Sequence, residues 1–481
     1  MRTAAKWLLP ILFALVLLVP LWMFPHLPLV DYPNHLARAF VLAHLDDPAY
    51  GFQRYYAADW GPYPYLAMDV TLMALQRVLQ VETAGRIFLS LSLLSLPVGF
   101  WFFLRQANPG HDLLAVWSLL FAYNYFFLTG LANLQLSAGL CFLALGLGLR
   151  LRERPAGWLW VVYPPVILML YFSHLAGFAV NALILLILAL RERRSARELA
   201  VCGLAMLPGA LLLLTSRGGA PVPEMAYRHM MEVKGITPLF AIQSYSPRFD
   251  LATHLVLLLC LLAAWWKNPE FRWNRRWLEV CVILYVLYWI APQDYGRATE
   301  ADARLLLFLG LLLPAAARIG ARMRYVAAAL LLLFCLRMIH VAGHFASQQP
   351  FLEGQMQAIV HTEEGARVLP LVAWAGDRQA SRSYSHFWAY GVIRKHWLTP
   401  YLFQDRGVHP LRVLSDAYVP PVRYYLPTLY EDPVQWPEIA RDYDFVWAFH
   451  VPEFAPRLDA LGTLVYENGD LKLYRVRSKG R

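Results

Sequence analysis

The sequence predicts an all-α polytopic membrane bundle of about eleven transmembrane helices, followed by a C-terminal extracytoplasmic α/β domain. Of the 481 residues, 58% are hydrophobic, and the mean hydropathy is +0.41, whereas soluble domains are about 45–50% apolar. The apolar residues are gathered into long runs, and the hydropathy falls only after residue 344. The predicted domains are therefore 1–344, which includes the first outer loop at 26–83, and 345–481.

The predicted spans are the apolar runs that approach the roughly 20 residues needed to cross a bilayer. The first run continues into the segment 25–28 without a small-residue cleavage site, so it is predicted to be an uncleaved anchor. In chain order the predicted spans are 7–24, 84–104, 113–128, 134–149, 158–171, 175–190, 199–214, 251–266, 277–290, 305–317 and 325–341.

The orientation follows from Lys and Arg in the short loops. These residues precede the first span and follow the fourth, sixth, eighth and tenth spans, whereas the loops 129–133 and 173–174 contain neither. The alternation predicts a cytoplasmic N-terminus and an extracytoplasmic C-terminal segment. The net charge of +10 is then a property of cytoplasmic loops, which disfavours nucleic acid as a partner.

Local patterns predict the elements outside the spans. In the first outer loop, apolar residues recur twice at helical spacing, which predicts two helices along the membrane surface. After residue 344, we predict strands at 366–375 and 443–449, a short helix at 456–461, and a hairpin over 463–476 with a primed turn at Asn468-Gly469. All five cysteines lie in or beside apolar spans, so neither a disulfide framework nor a cysteine metal site is predicted.

Polar residues that can carry chemistry cluster just after the first span. Asp31, Asn34, His35 and Arg38 lie within eight residues at a predicted membrane surface, where ionisable groups are costly and usually functional. The simpler alternative is that Asp31 caps the following helix. Asp59 opens a second, aromatic and Pro-rich stretch, where it serves either as a sugar contact or as a turn residue.

These features resemble the GT-C superfamily of integral-membrane glycosyltransferases, most closely the bacterial members related to protein mannosyltransferases and aminoarabinose transferases. The shared features are the acid at the outer end of the first span, the long outer loop with surface helices, the number of spans and the outer α/β domain. The motif from Asp31 to Arg38, Asp-x-Pro-Asn-His-Leu-Ala-Arg, and the motif Asp59-Trp60-Gly61-Pro62-x-Pro64 also look like motifs of uncharacterised bacterial relatives. The architecture covers the whole chain, and the motifs cover the first outer loop.

The resemblance implies an inverting transfer of a sugar from a polyprenyl-phosphate-linked donor to an acceptor glycan, lipid or protein at the outer face of a bacterial inner membrane. Asp31 would be the general base that takes the acceptor's proton. The leaving phosphate needs only neutralising cations, which Arg297 and Arg304 at the outer end of the tenth span would supply. His35 and Arg38, which lie within two helical turns of Asp31, are further candidates for holding the phosphate. The predicted substrate-binding residues are Asn34, His35, Arg38, Asp59, His174, Arg297 and Arg304.

Several of these residues also have simpler readings. His174 either faces an outer cavity or packs as a hydrogen-bonded histidine. The pair Asp46-Asp47 either binds a metal or ends a helix in a turn. The acids at 294, 300 and 302 read as loop residues paired to Arg297 and Arg304.

The sequence departs from the family in one respect. Many members carry a second acidic motif between the third and fourth spans, whereas the segment 123–133 contains no acid here. We therefore expect a metal-independent transfer without a cofactor. The alternative is a divalent metal, which the absence of an acid from the segment 123–133 does not support.

Three other classes of protein remain open. A polysaccharide polymerase or ligase typically has a dominant outer loop with several arginines, and the loop 215–250 contains Arg217, Arg228 and Arg248. A lipid or solute transporter would need buried charges within its spans, which are nearly charge-free here. A non-catalytic scaffold for envelope assembly is opposed only by the cluster that begins at Asp31.

Overall fold

The computed structural model describes residues 2–151, 157–192, 196–216, 225–227, 234–235, 241–295, 300–372, 384–414 and 434–477. The chain forms two compact units. The helical unit comprises Met1–Met23, Pro62–Ala67 and Ile87–His344, and the mixed unit comprises Phe24–Gly61, Met68–Arg86 and Phe345–Arg481.

Apolar helices dominate the described residues, and each of the eleven predicted spans lies on a helical segment. The span predicted at 113–128 is a 3-10 helix, Asp112–Phe121, followed by a short α-helix. The α-helices up to residue 360 are α1 (Arg2–Met23), α2 (Tyr32–Ala43), α3 (Leu66–Leu75), α4 (Val81–Ala107), α5 (Tyr125–Leu128), α6 (Ala132–Leu151), α7 (Gly157–Ser173), α8 (Leu175–Arg191), α9 (Ala196–Ser216), α10 (Pro247–Trp265), α11 (Arg275–Ile290), α12 (Ala303–Leu312) and α13 (Met323–Val360).

Length and composition identify helices that can cross a membrane. Within the described ranges, 4 helical segments meet both criteria: Val81–Ala107, Ala132–Leu151, Pro247–Trp265 and Gly320–Val360. The other apolar helices are shorter, at 10–17 residues. The chain is therefore a helical membrane protein, as predicted, and the number of eleven crossings stays a prediction.

Small residues bring helices of the helical unit into close contact. A Cβ atom on Gly99 of α4 would overlap the backbone carbonyl of Gly139 on α6, and a Cβ on Gly139 would overlap Ser95. A side chain on Gly177 of α8 would likewise overlap Ser137. Membrane helices associate through such small-residue contacts because lipid gives them no hydrophobic driving force.

Although the predicted spans are nearly charge-free, the interior of the helical unit contains buried charges. Arg337 lies within the last predicted span and is 1% exposed, and its Nη1 atom lies 3.6 Å from Oδ1 of Asp250 on α10. The backbone N–H and hydroxyl of Ser244 also donate to the Asp250 carboxylate. Because each charge neutralises the other, the pair fits a structural tie between helices better than a transport site.

A four-stranded sheet organises the C-terminal part of the mixed unit. Its order is β2 (Val368–Val372), β4 (Phe445–Phe449), β6 (Leu471–Val476) and β5 (Gly462–Asn468), in which β2 runs parallel to β4 and the other pairs are antiparallel. The predicted strands, helix and hairpin are thus confirmed; the end of the first predicted strand, 373–375, lies outside the described residues. The helices are α14 (Tyr390–Lys395), α15 (Trp436–Asp442) and α16 (Ala455–Leu461).

The hairpin turn differs in position from the predicted one. Asn468 is the last residue of β5 and pairs with Leu471, so the two-residue loop is Gly469-Asp470. Gly469 has φ +57° at the first loop position, which is where a II′ turn requires a positive φ. Apolar residues from β2, β4, β6 and the helices Trp436–Asp442 and Ala455–Leu461 form the core on this sheet.

The first outer loop belongs to the mixed unit for most of its length, whereas the sequence assigned it to the membrane domain. Its two predicted helices are present as α2 and α3. Between them, β1 (Tyr56–Ala58) pairs antiparallel with β3 (Leu411–Val413), and the Tyr56 hydroxyl donates to the Thr399 carbonyl at 2.9 Å. This pairing over long sequence separation joins the loop to the C-terminal segment, and the local pattern does not reveal it.

Candidate functional site

Asp31 lies directly before α2 with a partly exposed side chain. Its backbone carbonyl accepts the N–H of His35 at 3.1 Å, and Pro33 favours the start of the helix. The carboxylate makes no capping hydrogen bond to the helix. Instead, Oδ1 lies 3.5 Å from Nε2 of His386, and the Asp31 side chain is 28% exposed. The carboxylate is therefore held near an imidazole and remains accessible.

Asn34 is the residue that connects His386 to α2. The Asn34 side chain is fully buried. Its Nδ2 atom lies 3.2 Å from Nδ1 of His386 and donates to the Tyr401 carbonyl at 3.0 Å, and its Oδ1 atom accepts the Phe403 N–H at 2.9 Å. These contacts give Asn34 a positioning role within the protein; its predicted contact with substrate stays a prediction.

Three imidazoles pack around the aromatic ring of Phe403. The Phe403 ring centroid lies 5.0 Å from that of His35, 5.1 Å from that of His386 and 5.9 Å from that of His409. Burial lowers the pKa of His386 to about 4. Burial also lowers the pKa of His35, and the neighbouring Arg38 and His386 lower it further. Both histidines are therefore neutral near pH 7, so His35 offers a neutral imidazole, not a cation, to any ligand.

Arg38 is paired inside the mixed unit. Its Nε and Nη2 atoms donate to Oδ1 and Oδ2 of Asp69 on α3, each at 2.9 Å. Both side chains are buried, at 0% and 1% exposed. This bidentate pair joins α2 to α3 and neutralises the charge that the sequence analysis assigned to a phosphate.

Asp59 follows β1 at the surface of the mixed unit. Its backbone N–H donates to the Pro410 carbonyl at 2.7 Å, and its carboxylate accepts Nη2 of Arg412 at 3.1 Å. The Asp59 side chain is 57% exposed. Asp59 thus lies at a turn and its carboxylate is exposed to solvent. Its predicted contact with substrate stays a prediction.

His174 and Arg304 meet in the helical unit. Nη1 of Arg304 lies 3.3 Å from Nε2 of His174. Nδ1 of His174 accepts the N–H of Ala176 at 3.1 Å and so caps α8. The Tyr65 ring packs edge-on against the imidazole at 4.5 Å, and Tyr65 has φ +74°, a conformation that is uncommon for a bulky residue. Residues from three parts of the chain therefore fix the position of His174 beside a guanidinium.

The acids near Arg304 have partners other than arginine. Asp302 lies 3.2 Å from Nζ of Lys234 and accepts the N–H of Ala303 at 2.8 Å. Glu300 accepts the Tyr125 hydroxyl at 2.9 Å. The second predicted arginine, at position 297, lies outside the described residues, so the predicted pairing of these acids with arginine stays a prediction.

Within the described ranges, no group of three or more His, Cys, Asp or Glu side chains could hold a metal ion. Asp47 accepts the Ala49 N–H at 3.0 Å, which is the hydrogen bond of a turn. The turn interpretation of Asp46-Asp47 therefore agrees with the structure.

Comparison with known proteins identifies the fold. No family model and no curated protein matches the chain. Two solved structures match 98% of it over 98% of their own length: ArnT from Cupriavidus metallidurans bound to undecaprenyl phosphate, at 12% identity and a TM-score of 0.57, and the same protein in the apo state, at 13% and 0.55. The chain shares the fold of this protein, a GT-C-like fold, as the sequence resemblance implied. At this identity the likeness shows the fold alone.

Within this GT-C-like fold, sequence reasoning missed three residues. His386 lies near Asp31 and Asn34 in the structure but follows Asn34 by 352 residues in the chain, so no local pattern could have indicated this contact. Asp69 is the only charged residue of the apolar helix Leu66–Leu75, and an isolated acid of this kind usually has a buried partner, so this signal was available. Lys234 donates to three carbonyls at the end of α11, which its sequence context does not suggest.

Proposed function

We propose that the protein is a glycosyltransferase of a bacterial inner membrane that moves a sugar from a polyprenyl-phosphate-linked donor to an acceptor glycan, lipid or protein. The observation that carries the proposal is the Asp31 carboxylate, which is 28% exposed and faces the neutral imidazole of His386. The GT-C-like fold supports the reaction class. The likeness to a protein solved with undecaprenyl phosphate supports the class of donor.

Asp31 is the general base in this proposal. A hydroxyl or amine of the acceptor gives its proton to the Asp31 carboxylate as its lone pair attacks the anomeric carbon. The bond from that carbon to the phosphate oxygen breaks, and its electron pair stays on the phosphate. A single displacement of this kind inverts the configuration at the anomeric carbon. The polyprenyl phosphate leaves as an anion, so it needs neighbouring cations and no proton.

Arg304 is our candidate for contact with the donor phosphate. Its guanidinium presents a planar fork that can bind two phosphate oxygens, which an ammonium group cannot do. The neighbouring His174 holds the guanidinium at one edge, at 3.3 Å. The carboxylate of the nearby Asp302 pairs with Lys234. Arg297 remains a second candidate.

The orientation completes the proposal. Lys and Arg in alternate loops support a cytoplasmic N-terminus and an extracytoplasmic C-terminal segment. Transfer would then occur at the outer face of the membrane, where a flipped polyprenyl-linked sugar is accessible.

The experiment that tests the function is a donor survey. The purified full-length protein, reconstituted in vesicles, receives synthetic undecaprenyl-phosphate sugars that carry a hexose, a pentose or an amino pentose, together with bacterial envelope lipids and glycans as acceptors. Release of undecaprenyl phosphate, coupled to a glycosylated acceptor, is the expected result for at least one donor. Vesicles without protein control for spontaneous hydrolysis. No release from any donor would contradict the proposal.

A further inference from the structure

A line of three polar side chains runs from the buried interior of the mixed unit to the proposed base. Asn34 lies 3.2 Å from Nδ1 of His386, and Nε2 of the same imidazole lies 3.5 Å from Oδ1 of Asp31. We propose that His386 is a positioning residue, which donates its Nε2 proton to one oxygen of Asp31, and that Asn34 fixes the tautomer in which this donation is possible. The effect of His386 on catalysis rests on the proposed function, whereas the pairing of Asn34 with His386 does not.

The hydrogen bonds of Asn34 determine the tautomer of His386. The Asn34 Oδ1 atom accepts the backbone N–H of Phe403, and its Nδ2 atom donates to the backbone carbonyl of Tyr401. The amide cannot be turned over, because both of these backbone groups would then face a group of their own kind. Nδ2 therefore presents its second hydrogen to His386, and Nδ1 of the imidazole must accept it. In a neutral imidazole the remaining proton is then on Nε2, the atom that faces Asp31.

The environment keeps His386 in this neutral form. Asp31 and His35 are titratable groups that face it among the described residues. Burial lowers the pKa of His386 to about 4, so the ring holds a single proton throughout the neutral range. Protonation of Nδ1 at lower pH would set two donors against each other at Asn34 and break the arrangement.

The contact with His386 orients the Asp31 carboxylate. The distance of 3.5 Å is long for a hydrogen bond, and hydrogen bonds of catalytic groups often shorten when the substrate binds. When Nε2–H holds Oδ1, the rotation of the carboxylate is restricted. A base held in this way keeps its alignment when the acceptor arrives.

His409 offers a matched control. It is also buried and packs against the Phe403 ring, at 5.9 Å. Its Nδ1 atom, however, accepts the backbone N–H of Asp405 and lies 3.6 Å from the Asp405 carboxylate. Replacing His409 therefore perturbs the same packing without changing the contact between His386 and Asp31.

The first test is spectroscopic and requires no substrate. The full-length protein is labelled with ¹⁵N-histidine, and the His386 signals are assigned by their loss in His386→Gln. We expect Nδ1 unprotonated and Nε2 protonated from about pH 8 to about pH 5, well above the lowered pKa. Asn34→Asp, which replaces the donor by an acceptor, should move a proton to Nδ1. A wild-type imidazole protonated at Nδ1 near pH 7 would overturn the proposal.

The second test measures transfer from an undecaprenyl-phosphate sugar. His386→Leu should lower kcat about tenfold to a hundredfold, as expected for the loss of one hydrogen bond to a charged group. His386→Gln, whose amide N–H can reach the position of Nε2, should retain more activity, and His409→Leu should change kcat little. In an Asp31→Asn background, His386→Leu should have no further effect, because His386 acts only through Asp31.

The two tests separate this proposal from the proposed function. Equal losses from His386→Leu in the wild-type and Asp31→Asn backgrounds would overturn the positioning role, as would equal losses in His386→Leu and His409→Leu. If the wild-type protein transfers no sugar, the function fails, and the spectroscopic test alone decides whether Asn34 and His386 are paired as proposed.

Discussion

The ion pair between Arg38 and Asp69 gives a prediction that separates a structural role from a ligand-binding role. Both side chains are buried, and two hydrogen bonds of 2.9 Å join them. Arg38→Met keeps the apolar stem and removes the guanidinium, which leaves the Asp69 carboxylate buried without its partner. The sequence predicts a phosphate contact for Arg38, whereas the structure favours a tie between α2 and α3.

The magnitude follows from the burial of the pair. Removing one partner of a buried ion pair destabilises a protein by about 3–5 kcal/mol. For a unit of about 150–250 residues, each kcal/mol lowers the melting temperature by about 2–4 °C, so the expected loss is on the order of 10 °C. Replacing both residues, by Arg38→Met with Asp69→Leu, should recover most of this loss because no charge is then left unpaired.

The loss should also depend on pH. Burial raises the pKa of the Asp69 carboxyl, and the Arg38 guanidinium opposes that rise. Without Arg38, the folded-state pKa of Asp69 lies above its unfolded value, so the folded protein binds the extra proton. The loss of stability in Arg38→Met should therefore be smaller at about pH 5 than at about pH 8.

The assay is thermal unfolding of the detergent-purified protein, together with binding of undecaprenyl phosphate to the folded variant. We expect a lower melting temperature in Arg38→Met, its recovery in the double variant, and unchanged binding per folded molecule. An unchanged melting temperature combined with lost binding would refute the structural role and restore Arg38 as a phosphate ligand.

Three further predictions concern packing, donor binding and topology. Gly99→Ala should destabilise the helical unit by about 1–3 kcal/mol through overpacking against Gly139, whereas Gly203→Ala, which has no described atom within 4 Å of a new Cβ, should be neutral in the same melting assay. Arg304→Lys should weaken binding of undecaprenyl phosphate about tenfold, and equal affinity of variant and wild type would remove Arg304 from the site. A phosphatase fused to the C-terminus should be active outside the cytoplasm, and an inactive fusion would reverse the predicted orientation.

Local pattern predicted most of the helices and strands. Each predicted span lies on a helical segment because burial in lipid requires a continuous apolar run, which is visible in any window of the sequence. The hairpin 463–476 was equally readable, since its alternation and Gly469 are local features. The position of the turn shifted by one residue because pairing across the strands, not the Asn-Gly dipeptide alone, fixes the register.

Long-range pairing was not predictable in the same way. The strand pairing of Tyr56–Ala58 with Leu411–Val413 assigns the first outer loop to the mixed unit. The contact of Asp31 with His386 also joins this loop to the C-terminal segment. Nothing in either segment alone specifies its partner. Asp31 was found because a single acid at the end of an apolar run is costly, but the imidazole that orients it becomes visible only in three dimensions.

The central claim is that Asp31 takes the acceptor's proton, and the turnover of Asp31→Asn tests it most directly. This variant keeps the size of the side chain and removes its basicity, so kcat for transfer from an undecaprenyl-phosphate sugar should fall about a hundredfold or more. Asp47→Asn, an exposed turn acid beyond the same helix, is the matched control and should retain wild-type turnover. Melting temperature and undecaprenyl phosphate binding should be unchanged in both variants. Near-normal turnover by folded Asp31→Asn would contradict the mechanism.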